Sequence, residues 1–143
     1  MTPIRDLANV HLERRFLTRP GIIEAHRTHG IFLCPTRMDT QGVSRDEAMS
    51  SGLVPVTNAV GAVPEFVDSR SAILAPADDA AALAAGIARL YEDPALFASM
   101  SRAAAERVRG QSAIGEVIGR EISLFTAAGP DVAPDDRSGA VPA

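Results

Sequence analysis

The chain has 143 residues, 46% of them hydrophobic and 4% aromatic, with a net charge of −4. That gives room for one domain and one core; all fourteen cationic side chains are arginines, and the net negative charge disfavours broad binding to nucleic acid, which needs a clustered basic surface. The single cysteine, Cys34, excludes an intrachain disulfide framework and suits a reducing cytoplasm, no apolar stretch reaches the ~20 residues of a membrane span, and the N-terminus lacks a signal-peptide core.

Residues 9–17 alternate partially, with Val10 and Leu12 on one side, and read as a first strand ended by Pro20-Gly21. Residues 21–28 read as a short helix stopped by Gly30. The run IFLC at 31–34, ended by Pro35, has the continuous apolar character of a parallel strand buried on both faces. A polar loop at 36–43 leads to a helix over 44–51 that Gly52 ends, and VPVTN at 54–58 is the next strand. Pro64 opens a short helix through Val67, and AILA at 72–75 is a last strand.

The remainder reads as helical. Asp78 or Asp79 caps a helix with Leu83, Ile87, Leu90 and Tyr91 on one stripe. Asp93-Pro94 breaks it and starts another, with Leu96, Met100 and Val108 inward. Ser112 is positioned to cap a third helix carrying Ile114, Val117, Ile118, Ile122 and Phe125 on its face. The segment 130–143 is rich in Pro, Gly, Asp and Ala, the composition of a disordered tail, which leaves 1–129 as the folded domain. Strand and helix alternate through residue 75, so the expected fold is α/β: a Rossmann-like parallel sheet of about four strands with flanking helices.

The segment with chemical content is CPTRMDTQGVSRDEAMSSG, residues 34–52. A strand, a loop and a helix start in that order bring the loop to the carboxyl edge of a parallel sheet, where ligands bind. The helix start presents free N–H groups and a partial positive charge to a phosphate. Asp39 and Glu47 are two acidic residues with seven between them. A simpler reading stands beside this one: Ser44-x-x-Glu47 fits a capping box, and Asp39 fits an ordinary loop residue bonded to nearby backbone. Arg37 suits either a diphosphate or a solvated surface. Cys34 reads as a packing residue, His26 and His29 as surface or capping groups, and no Asp-x-Asp occurs.

On these residues the chain resembles the glycosyltransferase family 4 group, retaining enzymes with two Rossmann-like domains (the GT-B fold). The acidic pair followed by EAM, the VPVTNAVGAVPEFVD segment and the DDAAALAAGIARLYEDP helix carry the likeness, from about Asn9 to Val108. The resemblance implies the C-terminal, nucleotide-sugar-binding portion of such an enzyme. Glu47 would then bond the ribose hydroxyls and Asp39, where the family usually has glutamate, the donor sugar. Gln41, Gly42, Val43 and Ser44 would lie near the diphosphate. The usual EGFG is DTQG here, and Ala62 stands where a second glycine is common. The donor is a nucleotide-diphosphate sugar and the acceptor a hydroxyl; no metal or other cofactor is expected, and no catalytic base can be assigned.

The resemblance also implies missing parts: an upstream arginine and lysine that clamp the diphosphate, the acceptor domain, and two central strands. A missing segment or a homodimer partner would supply the strands, since unpaired edges invite association. The alternative expectation is a non-catalytic nucleotide-binding or assembly module derived from such an enzyme. An unrelated doubly wound domain is the third.

Overall fold

Three short apolar runs become strands, each stopped by residues that end a ladder. The computed structural model describes residues 4–127, and places β1 at Ile31–Cys34, β2 at Val54–Asn58 and β3 at Ile73–Ala75. Pro35 and Pro76 follow the first and third directly. The sheet is parallel throughout, in the order β1-β2-β3, with Ile31 beside Val54 and Val56 beside Ile73. Six α-helices surround it among the described residues: α1 Arg19–Thr28, α2 Val43–Ser50, α3 Val63–Phe66, α4 Ala80–Glu92, α5 Pro94–Ser112 and α6 Ile114–Ala127. None is long and apolar enough to cross a membrane. The segment 130–143 lies outside the described residues.

The alternating side chains of the strands feed two apolar clusters, as the period of two requires. Val54, Val56 and Ala75 pack with Leu83 and Leu90 of α4 and Met100 of α5. Met49 of α2, Val63 and Val67 pack with Ala104 and Val108 of α5, and Leu74 of β3 joins them. The α5 helix thus serves both clusters. Every residue of β2 is buried, which makes it the centre of the core.

Helix boundaries follow their local chemistry. Asp79 accepts from the Ala82 N–H at 2.8 Å and caps α4; Asp93 accepts from the Leu96 N–H at 2.9 Å and caps α5, with Pro94 at its first position. The α2 helix ends on Gly52 at φ +86°, where Gly52 N–H donates to Met49 O and Leu53 N–H to Ala48 O. This paired pattern requires the left-handed conformation that glycine adopts without strain.

The structure corrects the sequence reading in several places. Among the described residues the sheet has three strands, not the expected four: residues 9–17 form no strand, and Leu12 and Phe16 are exposed. In that segment Glu13 bonds Arg15 at 2.9 Å and His11 at 3.3 Å, local partners that replace a ladder. β1 is an edge strand and only half-buried, because β2 pairs with one side of it and Leu33 faces solvent. Tyr91 lies off the buried stripe of α4 and is exposed. Ser112 is the last residue of α5, not the cap of α6, because the Ala113 N–H still bonds Arg109 O at 3.2 Å. The apolar side chains expected on the inner face of α6 are all exposed.

Candidate functional site

The carboxyl edge of the sheet is tied together by one buried amide. Asn58, at the end of β2, accepts from the Thr36 N–H at 3.1 Å and donates to Pro76 O at 2.6 Å, bridging the chain beyond β1 to the chain beyond β3. Next to it, the Thr57 hydroxyl donates to Cys34 O at 2.9 Å. These bonds fix the ledge from which the 35–42 loop rises.

That loop is held from both sides. Asp39 O accepts from the Ala62 N–H at 3.1 Å, and Gly61 packs so closely on it that a Cβ there would lie 2.5 Å from the same oxygen. Below, the Arg45 side chain folds back from α2. One guanidinium nitrogen lies 3.3 Å from Asp39 Oδ2 and the other donates to Gln41 O and lies 3.7 Å from Asp46. Its face rests over the Phe66 ring, 5.4 Å from the centroid. Gly42 caps α2 at φ +74°, and a Cβ on it would sit 2.7 Å from both Arg45 Cζ and Asp39 Oδ2. Glycine is required there to make room for the ion pair as well as for the backbone conformation.

The expected site residues are thus collected on one loop and one helix, in two groups. Asp39, Gln41 and Gly42 surround the Arg45 guanidinium. Val43, Ser44 and Glu47 sit on the first turns of α2, and Ser44 and Glu47 line an apolar cleft of about 320 Å³ with Ile22, His26, Phe32 and Leu53. The capping box does not form: Gly42 takes the cap position, two residues ahead of Ser44, and no side-chain bond caps the helix. No hydrogen bond or ion pair engages the Glu47 carboxylate among the described residues, and only its backbone carbonyl is used, by Ser50 and Ser51.

Neighbouring groups take settled roles. Arg37 pairs with Asp78 at 2.6 Å on the surface, and Asp78 holds a left-handed φ of +57°. Burial pushes the Cys34 thiol up, and the charge of Asp39 adds to this, so Cys34 is a packing residue without thiolate character. Burial likewise raises the Asp46 carboxyl, against the opposing pull of Arg45. His26 bonds the Ser51 hydroxyl at 3.1 Å, and His29 lies 2.8 Å from Ala25 O at the end of α1, so both act as helix-end groups.

Sequence reasoning did not assign Arg45, Phe66 or Asn58. Their roles come from contacts six, twenty-one and twenty-two residues distant in the chain. The one local signal was an arginine three residues after Gly42, the spacing at which a side chain on a helix's first turn reaches the loop before it.

With this geometry in view, the chain is placed by its relatives. It matches the family described as glycosyl transferases group 1 over residues 4–93 and belongs to that family. Its sheet and helices are those of GT-B glycosyltransferases. Sucrose-phosphate synthase from Thermosynechococcus elongatus is 27% identical, with a TM-score of 0.61 over 73% of this chain and 27% of that one. TarM matches at 20% identity and a TM-score of 0.66 over 77% of this chain and 22% of that one. A point mutant of S. aureus TarM, solved in complex with fondaparinux, alpha-GlcNAc-glycerol and UDP, matches at 19% identity and 0.63 over 73% and 22%. The chain therefore spans about a quarter of the length of these solved proteins. No curated protein matches it.

Proposed function

We propose that this chain is the donor-binding portion of a retaining glycosyltransferase of the family 4 group, which transfers a glycosyl unit from a nucleotide-diphosphate sugar to an acceptor hydroxyl. The observation that carries the reading is Glu47: a carboxylate without a partner among the described residues, lining an apolar cleft beside the start of α2. An unpaired carboxylate is an acceptor for two hydroxyls on neighbouring carbons, which is what a ribose offers. The Val43 and Ser44 N–H groups, with no helical acceptor before them, suit the diphosphate. Asp39 then faces the donor sugar, with Gln41 and Gly42 in the loop between. The UDP bound to the related TarM mutant supports a nucleotide at this fold. The reading needs no metal, since the helix dipole and basic side chains offset the leaving diphosphate. It also fits a cytoplasmic setting, where nucleotide sugars are made.

Titration of the 143-residue chain with UDP, GDP and ADP by calorimetry tests the reading. One of the three is expected to bind, and Glu47→Ala to weaken it by about 10- to 100-fold while the melting temperature holds, the range for a bond to a charged group. Equal affinity in a folded Glu47→Ala variant would remove the ribose role.

A second reading has an observation of its own. Both arginines of the loop segment are engaged by carboxylates, Arg37 by Asp78 and Arg45 by Asp39. A module that binds nucleotide without turnover, or acts only in assembly, fits that pairing. Release of free nucleoside diphosphate from a bound nucleotide sugar, with and without the remainder of a longer enzyme, separates the two.

A further inference from the structure

Among the described residues Arg45 is the charged side chain that the fold buries, at 1% exposure. Stability alone does not account for it. Its Nε has no hydrogen-bond partner, and a buried unpaired donor is destabilising. A buried ion pair is also a poor substitute for apolar packing of the same volume. What the arrangement does achieve is control of Asp39. The guanidinium holds Oδ2 at 3.3 Å and the Gln41 carbonyl beside it, while Ala62 fixes the Asp39 backbone from above. No partner engages Oδ1 among the described residues. Gly42 leaves the space in which this pair sits.

We propose that Arg45 is a positioning residue for the donor sugar. By holding Oδ2 it turns Asp39 so that Oδ1 is a single, fixed acceptor for one sugar hydroxyl. The shorter aspartate, in the place where the family usually has glutamate, is then matched to this underlying guanidinium. The inference rests on the nucleotide-sugar reading above.

The test compares affinities of the full chain for nucleoside diphosphates (UDP, GDP and ADP) and for their hexose conjugates, in wild type, Arg45→Gln and Arg45→Lys. The sugar conjugate is expected to bind the wild type about tenfold more tightly than the bare nucleotide, a ratio typical of one bond to a charged acceptor. In Arg45→Gln that ratio falls to about one, while affinity for the bare nucleotide, set by Glu47, changes less than about threefold. Arg45→Lys keeps the charge without the fork and gives an intermediate ratio. If Arg45→Gln does not fold, Arg45→Lys decides alone. An unchanged ratio in a folded variant overturns the inference and leaves the nucleotide reading standing. Equal loss of both affinities reduces Arg45 to a scaffold residue and also overturns it. No nucleotide binding by the folded wild type overturns the reading and the inference together.

Discussion

Helices α4 and α6 carry the same kind of sequence pattern and meet opposite fates. Both place apolar residues at helical spacing, and both contain glycine in their interiors. In α4 the pattern meets the sheet: Leu83 and Leu90 are buried, and Gly86 sits so near β3 that a Cβ would lie 2.4 Å from Ile73 Cγ2. In α6 Ile114 and Phe125 are about four-fifths exposed, no residue is buried, and a Cβ on Gly115 or Gly119 would meet nothing within 4 Å. Periodicity specifies a face; burial depends on what lies opposite that face. The same residue type is a packing device in one helix and a local weakness in the other.

The comparison can be broken or sharpened by substitution. The largest effect is expected from Leu90→Ala, which opens a cavity between α4 and the sheet and lowers stability by about 2–5 kcal/mol in denaturant titration. Gly86→Ala follows, at about 1–3 kcal/mol, because the new methyl group must displace Ile73. Asp79→Ala removes the α4 cap and costs about 1 kcal/mol. Gly119→Ala is the smallest and has the opposite sign. With open space around it, alanine raises the helical circular-dichroism signal and stabilises α6 by up to ~1 kcal/mol. A destabilising Gly119→Ala would show that α6 is packed closely at that point, and the contrast with α4 would fall.

The fold was largely legible because its boundaries are set by strong local signals. Proline after each of two apolar runs ends β1 and β3, Gly52 ends α2, and Asp79 and Asp93 open α4 and α5. What failed was whatever needed a neighbour to decide it. Val10 and Leu12 alternate as a strand would, but alternation does not supply a ladder partner, and Glu13 satisfied Arg15 instead. Tyr91 fits the α4 stripe by spacing and misses it in space. Within the candidate site, the loop, Gly42 and the acidic pair were readable from order and spacing. The choice between capping box and free carboxylate at Glu47 was not, because it turned on Gly42 entering the left-handed region and moving the helix start forward. Arg45 was the least legible of all. Nothing in a charge pattern distinguishes a solvated arginine from one folded beneath its own loop.

The strand order has a kinetic consequence. Sheet neighbours here are also chain neighbours: Ile31 pairs with Val54, 23 positions on, and Val56 with Ile73, 17 positions on. Loop-closure entropy grows only with the logarithm of length, so these two crossovers differ by a few tenths of a kcal/mol at most. Neither pairing has to wait for a distant part of the chain to arrive. The sheet can therefore assemble outward from β2 in either direction, before α5, whose Met100 lies 46 positions beyond Val54, closes over both clusters.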